Sequence, residues 1–140
     1  MNSLGNYYQY IEIDYAKMKQ YYNLSINEGN ITSMYNLGLY YKNIKKYSHM
    51  KKYFIMAINK NHYKSMYQLG HYYEHVKKKY NLMKKYYLLA IYNTNDNFNE
   101  IDEFDVKYTL GQYYKKKEKD DKLMKKYFKM AINTRAEINT

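Results

Sequence analysis

The chain lacks cysteine, proline and tryptophan, and it contains a single arginine among its 140 residues. Without cysteine it can form neither a disulfide nor a thiolate metal site. No apolar run approaches the roughly 20 residues that span a bilayer. The N-terminal sequence also lacks the basic region and apolar core of a signal peptide. We therefore expect a cytoplasmic protein with no membrane partner.

Positive charge and tyrosine are what the sequence has in excess, with a formal net charge of +11 and 23 tyrosines. A charge of this size favours nucleic acid or another polyanion as a partner. However, nearly all of the charge is lysine, and Lys, Asn, Ile and Tyr share A/T-rich codons. The genome of a giant DNA virus or of an A/T-rich protist would supply such a composition without selection for binding. In the viral case the expected location is the host cytoplasm.

One nine-residue segment occurs four times along the chain, with small variations. Its copies read MKQYYNLSI, MKKYFIMAI, MKKYYLLAI and MKKYFKMAI, starting at Met18, Met50, Met83 and Met124. Each copy follows a Leu-Gly pair and a double tyrosine at a nearly constant distance. The repeat glycines are Gly5, Gly38, Gly70 and Gly111. The spacing between these glycines is typical of stacked helical hairpins.

Each unit carries the pattern of two amphipathic helices. In the second unit, apolar residues recur at the i, i+3, i+4 and i+7 spacing of a first helix at Met34, Leu37, Gly38 and Tyr41. A second stripe begins at Met50, after a short polar segment that suits an antiparallel hairpin. We predict an all-α solenoid of four antiparallel hairpins in a single repeat domain over 1–140. The predicted units are about 1–31, 32–63, 64–104 and 105–140, with an acidic insertion at 93–105.

The repeat glycines and the helix termini give further predictions. Glycine inside a helix costs about 1 kcal/mol relative to alanine, so its recurrence predicts close helix contact. We expect the glycines to face the small residues of the second helices, which are Ser25, Ala57, Ala90 and Ala131. The predicted N-caps are Asp14, Asp120, Thr32 or Ser33, and Asp105. Gly29 is expected to end the second helix of the first unit.

A family resemblance follows from these positions. The segment at 33–61 reads SMYNLGLYYKNIKKYSHMKKYFIMAINKN, in which Leu37-Gly38, Tyr41, Phe54 and Ala57 match positions of the tetratricopeptide superfamily. The chain resembles this superfamily throughout its length and is most similar to the Sel-like repeat branch. The resemblance implies a right-handed solenoid whose first helices line a concave face. It also implies a non-enzymatic scaffold or adaptor that binds a protein or peptide, with no cofactor.

Tyrosines recur three residues before three of the repeat glycines, and other side chains follow one turn later. If the family geometry holds, the resulting concave surface consists of Tyr35, Leu39, Tyr67, His71, Tyr108 and Gln112. Tyrosine suits binding because it offers a large rigid area with a polar tip. Packing between successive first helices is an equally good explanation of these tyrosines. The second members of the double tyrosines are predicted to belong to the core.

Lysine pairs recur near the start of each later second helix. They are Lys51 with Lys52, Lys84 with Lys85, and Lys125 with Lys126. In a row, these pairs would form a stripe that binds nucleic acid or another polyanion through phosphates alone. The alternative is a solvated convex face. We favour it because a chain with one arginine has little capacity for bidentate recognition of bases.

Residues 71–75 spell H-x-x-E-H, with His71 and His75 one helical turn apart as in some zinc peptidases. Both histidines fall on variable positions of the repeat, and the sequence supplies no third ligand. We therefore predict neither a metal site nor an enzyme. The acidic segment at 93–105 is predicted to be a surface loop or a short helix, since its acids do not follow the EF-hand order. The two ends of the array are expected to expose apolar surface, so that the chain either pairs end to end with a second copy or is a piece of a longer array.

Overall fold

The computed structural model describes residues 2–93 and 100–138 of the chain. Within these residues the regular structure is entirely helical, which confirms the all-α prediction. The α-helices are α1 (Asn2–Tyr10), α2 (Tyr15–Asn27), α3 (Ile31–Asn43), α4 (Tyr47–Ile58), α5 (Tyr63–His75), α6 (Tyr80–Tyr92), α7 (Glu100–Tyr113) and α8 (Asp121–Ile138). A π-helical segment, Tyr114–Glu118, continues α7. No helix in the described part of the chain is both long and apolar enough to cross a membrane.

The chain divides into two compact units, Met1–Ser65 and Met66–Thr140. In the first unit α1 packs on α2, α2 on α3, and α3 on α4. In the second unit α6 packs on α7, and α7 on α8. Within each unit, these helices that follow one another in sequence are therefore neighbours in space, as in an α-solenoid. The single repeat domain over 1–140 and the boundaries of its four units remain predictions.

The predicted helix termini can be compared with the structure. The side chains of Asp14 and Asp120 accept hydrogen bonds from backbone N–H groups in the first turns of α2 and α8, which confirms both caps. Gly29 follows the end of α2 with a φ of +85°, as predicted. The cap of α3 is instead Asn30, whose Oδ1 accepts from the Ser33 N–H at 2.8 Å. This corrects the prediction of Thr32 or Ser33.

The prediction of a cap at Asp105 is also wrong. Helix α7 begins at Glu100, so Asp105 lies inside it. Acidic residues favour the first turns of a helix because they complement its dipole, which explains why the helix extends into the acidic segment. Residues 94–99 of that segment lie outside the described residues.

Each repeat glycine lies against an aromatic ring of the following helix. The pairs are Gly5 with Tyr22, Gly38 with Phe54, Gly70 with Tyr87, and Gly111 with Phe128. A Cβ atom on Gly5 or Gly38 would lie 2.5 Å from two ring carbons, well inside van der Waals contact. The expectation that these glycines face Ser25, Ala57, Ala90 and Ala131 is therefore wrong, because the ring three residues earlier fills the space. The small residues are themselves buried.

The double tyrosines form a second repeated contact. Their second members stack on a tyrosine of the following helix, with centroids 5.5, 5.7, 5.8 and 5.4 Å apart and nearly parallel planes. The stacked pairs are Tyr8 with Tyr21, Tyr41 with Tyr53, Tyr73 with Tyr86, and Tyr114 with Tyr127. Tyr41 and Tyr114 are buried, as predicted, whereas Tyr8 and Tyr73 are half-buried. The first members Tyr40, Tyr72 and Tyr113 are also buried, so much of the tyrosine content is structural.

One buried position departs from the repeat. The residue four before the repeat glycine is a buried methionine at Met34 and Met66, but it is Lys107 in α7. The Lys107 Nζ lies 2.6 Å from Glu103 Oε1 and donates to Thr134 Oγ1 at 2.7 Å. A buried ammonium is tolerated when it is paired in this way. The change from methionine to lysine is thus matched by two polar partners within the same unit.

Candidate functional site

Three predicted surface tyrosines rest on the rings that fill the glycine spaces. Tyr35 packs against Phe54, Tyr67 against Tyr87, and Tyr108 against Phe128, with centroid distances of 5.9, 6.1 and 5.5 Å. None of the three is fully buried, and Tyr108 is 46% exposed. Each of these tyrosines is therefore supported by the core on one side. Packing accounts for part of their surface, and the remainder is accessible.

In the first compact unit, Tyr35 contacts one further aromatic side chain. Its ring centroid lies 5.0 Å from that of His62, whose Nδ1 is 2.8 Å from Ser65 Oγ. Burial and the nearby Lys64 lower the pKa of His62, so its ring is held in the neutral form. Leu39 is half-buried. The continuous surface predicted to run from Tyr35 to Tyr108 remains a prediction.

In the second compact unit, three of the predicted binding residues meet around one open pocket. The pocket has a volume of about 240 Å³ and is formed by α5, α6 and α7. Its lining residues are Tyr67, His71, Glu74 and His75 of α5, Tyr87 of α6, and Asp105, Val106, Tyr108 and Thr109 of α7. The sequence pattern identified Tyr67, His71 and Tyr108. It did not identify Glu74 or Asp105, which only the packing of α5 against its neighbours brings together with them.

Hydrogen bonds fix several of the side chains that line this pocket. The Tyr87 hydroxyl donates to Glu74 Oε1 at 2.6 Å, and the same oxygen lies 3.2 Å from His75 Nε2. Tyr67 donates its hydroxyl to Asp102 Oδ1 at 3.5 Å, a long contact. Burial, with Asp102 and Asp105 adding to it, raises the pKa of Tyr67 to about 12. Burial and the charge of Asp105 raise the pKa of Asp102. The carboxylates of Glu74 and Asp105 thus line the pocket, and that of Asp102 lies beside it.

Gln112 adjoins the pocket without lining it. Its side-chain amide donates to the Tyr108 hydroxyl at 2.8 Å, which orients that hydroxyl. Gln112 also lines a neighbouring depression of about 220 Å³ together with Met83, Tyr113 and Lys116. Of the six residues predicted for the concave surface, Tyr67, His71, Tyr108 and Gln112 thus lie close together in the second unit.

The two histidines of the H-x-x-E-H sequence are neighbours on α5. The ring centroids of His71 and His75 lie 4.3 Å apart. Among the residues that the structure describes, however, no group of three or more His, Asp or Glu side chains is arranged to hold a metal ion. The close approach of the two rings is thus a contact between successive turns of one helix.

The predicted lysine stripe is partly engaged with tyrosine rings. Lys52, Lys85 and Lys126 lie over the rings that follow them in sequence, at 5.3, 5.3 and 5.5 Å. Lys84 lies 5.1 Å from the centroid of Tyr113 and forms an ion pair with Glu118. Lys51 is half-buried, and Lys125 is exposed. Contacts of this kind are cation–π interactions that cover part of each side chain.

Two large side chains of the first helix, α1, are exposed although their equivalents in α3 are buried. Leu4 and Tyr7 of α1 are 42% and 44% exposed, whereas the equivalent Leu37 and Tyr40 of α3 are 0% and 9% exposed. In the first unit, Tyr40 is covered by Tyr15 and Lys19 of α2. End-to-end association itself remains a prediction.

The described residues define an all-α protein in which similar helix pairs recur along the chain. Comparison of the chain with protein-family models, with curated proteins and with solved structures found no match. The resemblance to tetratricopeptide and Sel-like repeats therefore rests on the sequence motifs alone.

Proposed function

We propose that the protein is a non-enzymatic scaffold that binds a protein or peptide on a surface formed by the first helix of each pair. In this proposal the chain is a right-handed α-solenoid of four antiparallel hairpins of the tetratricopeptide type. The observation that carries the proposal is the meeting of Tyr67, His71 and Tyr108 around one open pocket. These residues come from equivalent helices, α5 and α7, which is the relation expected of a repeat-built binding surface.

The packing of two surface tyrosine rings against the core favours binding of a partner. Tyr67 and Tyr108 are each packed against a core ring on one side, so binding would immobilise few additional torsions. Side chains that are already ordered lose less entropy on association, and large aromatic residues in such positions often dominate binding energy. Gln112 further restricts the Tyr108 hydroxyl.

Polyanion binding through lysine is the second candidate. Lys85, Lys125 and Lys126 are exposed, as are the lysine clusters at 77–79 and 115–117. Against this candidate, several stripe lysines lie over tyrosine rings, and Lys84 is paired with Glu118. Exposed charge on a solvated surface needs no ligand to explain it.

The test is capture of partners on immobilised protein, with and without nuclease, from a lysate of a plausible host. The informative variant is Tyr67→Ala with Tyr108→Ala. Its matched control is Tyr10→Ala with Ile11→Ala, which removes two exposed large side chains of the first unit. We expect a defined protein that survives nuclease, binds the control and is lost from the pocket variant. Retention of only nucleic acid, equally by both variants, would overturn the scaffold proposal in favour of the lysines.

A further inference from the structure

The pocket between α5 and α7 has a charge opposite to that of the chain. The protein carries a formal net charge of +11, yet the lining residues include the carboxylates of Glu74 and Asp105 and no lysine or arginine. Glu74 is fixed by the hydrogen bond from the Tyr87 hydroxyl at 2.6 Å. An anionic, partly desolvated site on a cationic protein attracts cations locally and repels anions.

The same pocket has aromatic walls. Tyr67, Tyr87 and Tyr108 all line it, and the ring of Tyr67 stacks on that of Tyr87. Aromatic faces attract ammonium and guanidinium groups through their quadrupole, most strongly where water is partly excluded. A carboxylate near such rings adds a charge-assisted hydrogen bond that a neutral side chain could not form.

The size of the pocket limits what it can hold. Pockets for drug-sized ligands usually measure about 300–1,000 Å³. At about 240 Å³ and open to solvent, this pocket suits the end of one side chain rather than an enclosed small molecule. Metal ions fit less well, because no described group of three or more His, Asp or Glu side chains is arranged as a metal site.

We infer that this pocket binds a lysine or arginine side chain of the partner polypeptide, between the rings of Tyr67 and Tyr108 and the carboxylates of Glu74 and Asp105. This inference rests on the proposed scaffold function and specifies the chemistry of its partner. A basic residue supplies the missing positive charge.

The direct test uses short peptides that differ at one residue. The probes are acetyl-Gly-X-Gly-amides in which X is lysine, arginine, norleucine or glutamate, titrated into the protein while the tyrosine ring signals are followed by NMR. Norleucine matches the apolar stem of lysine without its charge. We expect saturable shifts at Tyr67 and Tyr108 for lysine and arginine, with affinity at least about tenfold weaker for norleucine and glutamate.

Two charge-matched variants separate the pocket from the overall charge. Glu74→Gln with Asp105→Asn removes the pocket carboxylates, and the Gln side chain can still accept the Tyr87 hydrogen bond. Glu12→Gln with Glu28→Gln removes the same charge from exposed sites in the first unit. Circular dichroism and thermal melting serve to check that both variants are folded. The pocket variant should lose at least about tenfold in affinity for the lysine peptide, and the control should bind as the parent does.

Two results would overturn the inference: equal binding of norleucine and lysine peptides, or unchanged lysine binding by the pocket variant. Failure of this inference is distinguishable from failure of the scaffold function. If the peptides do not bind while a captured protein still depends on Tyr67 and Tyr108, the scaffold stands and the partner contacts the rings in another way.

Discussion

The ring of Phe54 occupies the space that a side chain at position 38 would need. A Cβ atom on Gly38 would lie 2.5 Å from the Cδ1 and Cε1 atoms of Phe54. The same relation joins a glycine to an aromatic ring in every repeat. Each repeat therefore contains a matched pair of residues: a glycine, which has no side chain, and an aromatic residue, whose ring fills the space beside it.

Replacing Gly38 with alanine is expected to destabilise the protein by about 1–3 kcal/mol. Alanine gains about 1 kcal/mol in helix propensity, but it forces the buried Phe54 ring to move in a packed core. The free energy of unfolding in urea measures the net effect. Phe54→Leu supplies the control in a double-mutant cycle, because Gly38→Ala should cost less once the ring is gone. Additive effects of the two substitutions would contradict the proposed contact.

His62 should make stability depend on pH. Its folded pKa lies below the ordinary value of 6.5 because of burial and Lys64. As pH falls, the unfolded chain takes up the proton first, so the stabilisation present above about pH 6.5 is lost at lower pH. His62→Asn should remove this part of the pH dependence and place before α5 a residue type that can cap a helix, since Asn30 holds the equivalent position before α3. Urea unfolding of both proteins between pH 8 and pH 5 measures it; parallel curves would contradict the prediction.

Replacing Lys107 should not lower the stability of the protein, whereas replacing its partner Glu103 should. Lys107→Met restores the residue type that other repeats bury at this position, and we expect stability to be unchanged or raised. Glu103→Ala leaves the buried ammonium without its carboxylate and should cost roughly 1–3 kcal/mol. Urea unfolding compares the two variants. A larger loss for Lys107→Met than for Glu103→Ala would show that the ion pair is a net source of stability.

The lysine stripe should contribute little to polyanion binding. Removal of a lysine that contacts phosphate lowers the salt slope of single-strand binding by about 0.7. Lys85→Gln with Lys126→Gln should change that slope no more than Lys45→Gln with Lys60→Gln, two exposed lysines of the first unit. Fluorescence anisotropy with a single-stranded oligonucleotide over a range of salt concentrations provides the measurement. A selective decrease for the stripe variant would favour the polyanion function.

End-to-end self-association should depend on the exposed residues of α1. Within the first unit, α2 packs on α3 and its side chains cover Tyr40, which corresponds to Tyr7. We expect light scattering to show a mass that rises with concentration, and Leu4→Glu with Tyr7→Glu to abolish the rise. Ile55→Glu, at a residue of α4 with 41% exposure, is the control. A monomeric mass at every concentration would contradict this prediction.

Much of the local structure could be predicted from the sequence. The periodic apolar residues predicted helices because burial of one face at 3.6-residue spacing is a local property of the chain. Asp14, Asp120 and Gly29 were recognisable as helix ends because caps act within a few residues. Tyr67, His71 and Tyr108 could be grouped from the sequence because the repeat places equivalent residues on equivalent helices, and they line one pocket.

Other features depended on contacts between residues distant in sequence. The sequence indicated that the glycines allow close approach, but only the packing of α3 on α4 showed that Phe54 rather than Ala57 lies opposite Gly38. The reason is that a ring extends toward the preceding turn of its own helix and so contacts a different level from its Cα. Asp105 was wrongly predicted as a cap because α7 extends into the acidic segment, where no strong capping signal marks the start of the helix.

The sequence by itself determined the helical class, the repeat and the positive charge, since these follow from composition and periodicity. Only the tertiary structure decided where negative charge gathers. Glu74 and Asp105 lie on separate helices with nothing in their spacing to connect them, and they share a pocket because α5, α6 and α7 bring their side chains to one place. Electrostatic potential depends on distances in space, and those distances are set by packing.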